Sequence, residues 1–174
     1  NSVTIGKGAS SNTGNTVVGE TALDAVTTGT HNTAVGKDAL TANTTGSHNV
    51  AVGSQALDAN TTGNYNYALG KDALGANTTG SVNIAIGNAL TSNTTGESNI
   101  AIGSNSLADN TTGNYNVALG RQALGDNTTA DSNTAVGYNA LLKNTTGTNN
   151  VALGAYALDL STTASHNTAI GTNA

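Results

Sequence analysis

Asn83-Ile84-Ala85-Ile86-Gly87 is followed sixteen residues on by Asn99-Ile100-Ala101-Ile102-Gly103. Each stretch alternates a larger aliphatic side chain with a small one. That period of two is the period of a β-strand, whose successive side chains point to opposite faces. Gly closes the strand, and Asn-Thr-Thr-Gly, as at Asn43-Thr44-Thr45-Gly46, supplies residues that form turns and tolerate left-handed backbone. Outward from this pair, one unit covers almost the whole chain: N-T-T-G-x-x-N-x-A-Φ-G-x-x-A-L-x-x, with Val, Ile or Leu at Φ. Its strand-closing glycines are Gly6, Gly19, Gly36, Gly53, Gly70, Gly87, Gly103, Gly120, Gly137, Gly154 and Gly171, and eight of the ten intervals are 17 residues, the others 13 and 16. The 16-residue step comes from a deletion between Gly87 and Ala89, where Asn88 alone replaces pairs such as Lys71-Asp72. A register that survives a deletion belongs to a stack of coils that absorbs length changes at a corner.

The spacing therefore predicts an all-β fold, a parallel β-solenoid or β-roll of about ten 17-residue coils. Each coil is expected to hold two or three short strands, with Ala-Leu, as at Ala56-Leu57, forming a second strand or a bend. An ordinary helix of about 10 residues has no room between such boundaries. At the ~4.8 Å strand spacing the rod would be roughly 48 Å long. Equivalent residues then fall into columns. One is Asn32, Asn49, Asn66, Asn83, Asn99, Asn116, Asn133, Asn150 and Asn167; another is Leu23, Leu40, Leu57, Leu74, Leu90, Leu107, Leu124, Leu141 and Leu158. Stacked Asn amides can hydrogen-bond along the axis, and the Ala column beside them implies a thin interior. If Ala and Asn point inward, Φ and the residue two before it (Val50, Tyr67, Ile84, Ile100, Val117 or Val151) point outward. An outward aliphatic column of that length marks an interface, so self-association into a homo-oligomer is expected. Residues 1–174 read as a single repeat domain without caps. They are expected to be a segment of a longer fibre or a subunit that stacks end to end into a fibril, because open strand edges template further pairing.

Composition narrows the function. The 174 residues include 22 Gly and five Tyr but no Pro, Cys, Met, Trp or Phe, so disulfides, thiolate chemistry and Cys-based zinc sites are excluded. Charged residues are 9% and the net charge is −5, without the clustered Lys and Arg that neutralise nucleic-acid phosphates. No apolar run approaches the ~18 residues of a membrane-spanning helix, so this segment is not expected to insert into a membrane. Asp24, Asp38, Asp58, Asp72, Asp109, Asp126 and Asp159 lie near the Ala-Leu corner in varying registers and read as single solvated charges. With no concavity expected of a uniform solenoid and no phosphate-binding loop, the chain reads as a non-enzyme without a cofactor.

Three sets of residues are candidates for other roles. The Asn-Thr-Thr triplets at Asn43, Asn60, Asn77, Asn93, Asn110, Asn127 and Asn144 satisfy the N-glycan acceptor pattern, although a turn alone also accounts for them. Thr pairs from Thr27-Thr28 to Thr162-Thr163 could present Thr ladders to ice, but adjacent residues of a straight strand cannot both face outward. His31, His48 and His166 share a variable position with Tyr65, Val82, Ser98, Tyr115, Ser132 and Asn149. It reads as solvent-facing and too poor in ligands for zinc, with Tyr65 and Tyr115 available as surface contacts.

Asn1-Ser2-Val3-Thr4-Ile5-Gly6-Lys7-Gly8-Ala9 resembles the N-S-V-A-I-G-x-G-A signature of YadA-type head repeats in trimeric autotransporter adhesins, and Asn-x-Ala-Φ-Gly recurs down the chain as its variant. The resemblance implies a left-handed parallel β-roll, three chains packed side by side, and adhesion outside a bacterium. It is shared by repeats of bacteriophage tail fibres. The expected function is thus an extracellular structural fibre or adhesin segment on a bacterial cell surface or virion, with a host-surface protein or glycan as partner. A tail-fibre shaft, a self-assembling fibril with or without glycans, and an ice-binding protein are the alternatives.

Overall fold

Each Asn-x-Ala-Φ-Gly stretch makes one strand of three residues. In the computed structural model, which describes Ile5, Gly6 and residues 12–174, these strands form a single sheet in sequence order. They are β1 (Ile5–Gly6), β2 (Thr16–Val18), β3 (Thr33–Val35), β4 (Val50–Val52), β5 (Tyr67–Leu69), β6 (Ile84–Ile86), β7 (Ile100–Ile102), β8 (Val117–Leu119), β9 (Thr134–Val136), β10 (Val151–Leu153) and β11 (Thr168–Ile170). From β2 to β11 every pairing is parallel and in register, with Val17 opposite Ala34 at the first step and Ala on Ala from β3 onward, as in Ala51↔Ala68. The fold is a parallel β-solenoid of about nine turns. The deletion after Gly87 leaves the strands untouched, with Ile84↔Ile100 and Ile86↔Ile102 still opposed. What that coil lacks is the corner residue that elsewhere takes a left-handed backbone, Gln55 (φ 59°), Asp72 (φ 57°) or Asn105 (φ 57°).

Three expectations need correction. The first glycine of the series, Gly6, does not begin the stack: β1 pairs antiparallel with β2, Gly6 opposite Val17, and the rest of the Asn1–Ala9 motif falls outside the described residues. The coil holds one strand, not two or three. Ala-Leu is a turn, because Leu40, Leu57, Leu74, Leu90 and Leu107 all adopt φ between 50° and 54°, which no strand residue can do. Left-handed backbone costs a side chain with a Cβ about 1–2 kcal/mol, whereas burying a Leu returns about 1.5–3 kcal/mol. These Leu side chains are fully buried, so burial wins. The third correction concerns Asn-Thr-Thr-Gly, whose Gly46 is not left-handed; its hydrogen leaves room for the Gly63 carbonyl, which would lie 2.4 Å from a Cβ. That requirement yields slightly, since Ala130 and Ala164 occupy the same place. Beside Ala130 the axial bond from Thr128 N–H to Thr145 O lengthens to 3.4 Å, against 2.8 Å for Thr111 to Thr128.

The coils are joined on every side, not only along the sheet. Leu57 N–H donates to Ala73 O (3.0 Å), Thr44 N–H to Thr61 O (3.0 Å) and Gln55 N–H to Lys37 O (2.9 Å), each on a neighbouring coil. The interior contains the strand-centre Ala column, the Ala-Leu pair and two columns of Asn, all without solvent exposure in the middle coils.

Gly53 sits at a tight axial contact. Its φ is +142°, and a Cβ there would meet the Gly70 carbonyl oxygen at 2.3 Å; at Gly87, beside the deletion, φ is +95° and the nearest atom of the next coil is 3.4 Å away. Backbone strain of this kind costs of order 1–3 kcal/mol. Gly53→Ala is therefore expected to lose at least ~3 kcal/mol of stability in urea unfolding, strain plus clash, and Gly87→Ala about half as much. Equal losses would show that axial contact does not limit this position.

Candidate functional site: inner and outer columns

Asn has an amide that donates twice and accepts, and both inner columns use it along the axis. Asn60 Nδ2 donates to Asn43 Oδ1 on the coil before (2.8 Å) and to the Gly63 carbonyl (3.1 Å). The same amide-to-amide link recurs at Asn77, Asn93, Asn110 and Asn127 (2.8 to 2.9 Å) and at Asn144 (3.1 Å). In the second column, Asn49 Oδ1 accepts the Asn66 N–H (2.9 Å) and Asn49 Nδ2 donates to the same Gly63 carbonyl (2.9 Å). Asn66, Asn83, Asn99 and Asn116 repeat this arrangement. The two columns are thus stitched together at one carbonyl per coil. Both columns also run amide to amide along the axis: in the column foreseen from sequence, Asn83 Nδ2 donates to Asn66 Oδ1 (3.2 Å), and Asn99, Asn116, Asn133, Asn150 and Asn167 repeat the link (3.0 to 3.4 Å).

This placement corrects the glycan reading. Asn43, Asn60, Asn77, Asn93, Asn110, Asn127 and Asn144 have no exposed surface, and from Asn60 onward the Nδ2 that a glycan would need donates to both a neighbouring amide and a carbonyl. The folded coil cannot present them to a transferase. The column ends where Ser161 replaces Asn, too short to reach, and Asn144 Oδ1 is left buried without a partner.

Side chains outside the coil divide into columns as well. The first Thr of each pair turns its hydroxyl along the axis, as in Thr61 Oγ1 to Thr78 O (2.9 Å) and Thr94 Oγ1 to Thr111 O (2.9 Å). The second, Thr45, Thr62, Thr79 or Thr95, is exposed, so one Thr per coil faces solvent. The residue after Asn-Thr-Thr-Gly has an unforeseen duty. Its side chain accepts the backbone N–H of the coil before, Asn64 Oδ1 from Ser47 (2.8 Å), Ser81 Oγ from Asn64 (3.0 Å) and Asn114 Oδ1 from Glu97 (2.8 Å). The frequency of Ser, Asn and Asp there was the legible sign. At the next position, His31, His48 and Tyr65 take left-handed backbone and stack face to face, with centroids 4.9 and 4.8 Å apart.

On the sheet face, the residues flanking the buried Ala point outward: Tyr67 and Leu69, Ile84 and Ile86, Ile100 and Ile102, Val151 and Leu153 are half-buried or exposed. At the Ala-Leu corner, the surface is not uniform. Gly125 leaves a gap, opening a recess of about 110 Å³ lined by Asn105, Ala108, Asp109, Gln122, Gly125 and Asp126. Lys143 pairs with Asp126 beside it (2.8 Å). Beginning on the same coil, Arg121 lies over the Tyr138 ring of the next coil (5.6 Å) and Tyr156 of the coil after meets Tyr138 edge to face (5.1 Å), a cluster hidden in sequence because Tyr156 stands 18 residues after Tyr138 instead of 17.

No protein-family profile, curated protein or solved structure matches the chain. Its function has to be argued from these columns.

Asn77→Ala removes two donated bonds and one accepted bond from the closed interior. At about 1–3 kcal/mol for each buried polar group left unpaired, a loss of at least ~3 kcal/mol is expected in chemical denaturation, against under ~1 kcal/mol for exposed Thr79→Ala.

Asp58 titrates above its ordinary value of 3.8, chiefly because partial burial penalises its charge, with Asp72 and Asp38 adding repulsion. The ionised form thus weighs against the fold: stability falls as pH rises from 3.8 through the folded-state value, and stays reduced above it. Asp58→Asn should raise Tm modestly at neutral pH, and the gain should vanish in melts below pH 3.8.

Proposed function

We propose that this protein is an extracellular structural fibre segment whose rigid, repeated surface serves attachment. The observation that supports it is the unbroken axial hydrogen bonding of nearly identical coils, which carries load along the rod and brings outward Thr and aliphatic positions back at each turn. Its mechanism is mechanical, with many weak contacts at ~4.8 Å intervals adding to avidity beyond any single one. The resemblance to adhesin head repeats favours a bacterial surface or a virion as its place and three chains side by side as its assembly. The apolar strand face supplies the contact between copies. Attachment is preferred to ice binding because each coil turns only one hydroxyl of its Thr pair to solvent.

Leu69, Ile86 and Ile102 lie on that face and outside the core. Sedimentation of the purified chain should show a concentration-dependent oligomer, and the variant L69K/I86K/I102K a folded monomer by circular dichroism. Beads bearing many copies should hold to a matrix-protein or glycan array under flow that removes isolated rods. A wild-type monomer at every concentration would remove the assembly proposal; equal, negligible retention of beads and rods would remove attachment.

A further inference from the structure

The rod is acidic, and its described lysines are neutralised locally: Lys37 lies 3.9 Å from Glu20, Lys143 2.8 Å from Asp126, and Lys71 contacts Asp72. Among the described residues Arg121 is the one cation outside an ion pair. It is held in place by aromatic contacts instead, its guanidinium 5.6 Å from the Tyr138 ring centroid and Nη1 3.4 Å from the Tyr138 hydroxyl. Tyr156 on the next coil completes the group, edge to face with Tyr138, and the two rings remain 37% and 38% exposed. Three successive coils therefore place a guanidinium and two aromatic rings within about two rises, ~10 Å. The far end has the opposite polarity. The Tyr156 phenol is pushed up chiefly by the neighbouring Tyr138 hydroxyl, and the Asp159 carboxylate adds to the rise while Arg121 opposes it.

We propose that Arg121, Tyr138 and Tyr156 form a binding site for a carboxylated sugar. A planar guanidinium matches a carboxylate through paired hydrogen bonds, and a Tyr ring packs on the C–H face of a pyranose while its hydroxyl stays available to the sugar hydroxyls. Charge orients the ligand: the carboxylate goes to Arg121, and hydroxyl donors go toward Tyr156 and Asp159. The net charge of −5 works against long polyanions, which favours a single terminal acidic sugar over a densely charged chain. The site deepens the attachment reading and rests on it for its biological purpose, but its chemistry stands apart from assembly, because the sheet face is not involved.

The test is NMR titration of the full chain with sialyllactose, with lactose and with lactose 3′-sulfate. Sialyllactose should shift the Arg121, Tyr138 and Tyr156 resonances saturably, and lactose at least 10-fold more weakly. Arg121→Gln should weaken sialyllactose binding at least 10-fold, and Tyr156→Ser several-fold, while melting curves stay at the wild-type midpoint. Equal binding of lactose, or undiminished binding by Arg121→Gln, would overturn the site; equal or tighter binding of the sulfate would overturn the preference for a carboxylate. Beads that adhere to the array while the rod ignores sialyllactose would sink this site alone. Sialyllactose binding by rods whose beads never adhere would sink the attachment reading and leave the site.

Discussion

The fold depends on a carboxamide that finds all of its partners only when another coil stands directly above or below it. Asn77 donates to Asn60 and to Gly80, and accepts from Asn93. A one-residue slip in the stacking would bury those groups unpaired, each at about 1–3 kcal/mol, and the penalty would recur in every coil. An apolar core of this size tolerates slippage because Ala on Ala looks the same from many angles. The amides do not, so they set the register where the hydrophobic residues are too small to do so.

From this constraint follow the features that look costly in isolation. A closed loop of 17 residues must turn sharply several times, and the chain does so with left-handed Leu57, Gln55 and His48 as well as with Gly53. Non-glycine residues accept that backbone here because their neighbours impose it: Leu57 is buried between coils, and its N–H is bonded to Ala73. The 16-residue coil omits one such corner residue and keeps the strand register, which shows that the strain is local to the corner while the register is axial.

The same division separates scaffold from surface. The positions that face the axis repeat with few exceptions, such as Val17 and Ser106 in place of Ala; Glu20, Lys37, Lys71, Arg121 and Tyr138, at the first corner position after the strand, do not. Binding specificity can therefore be written on the rod without touching its core, and the Arg121 cluster is where the variation gathers a cation and aromatics together. The strand face, by contrast, carries an aliphatic Φ at every level from Val18 to Ile170, while its other outward column varies among Val, Ile, Tyr and Thr.

The one-dimensional repeat by itself determined the parallel stacking, the in-register columns, the inward Ala and the outward Φ, because a period of 17 laid over a period of two leaves no other way to place like residues together. It could not determine that a second Asn column also links amide to amide, that Ala-Leu takes the bend of its two readings, or that the glycan-like Asn residues are sealed inside. Those outcomes depend on the backbone angles at the corners, and Leu at φ 53° is contrary to its local preference. Only the tertiary structure, in which the next coil covers that Leu and completes those amides, makes the disfavoured angle the stable one.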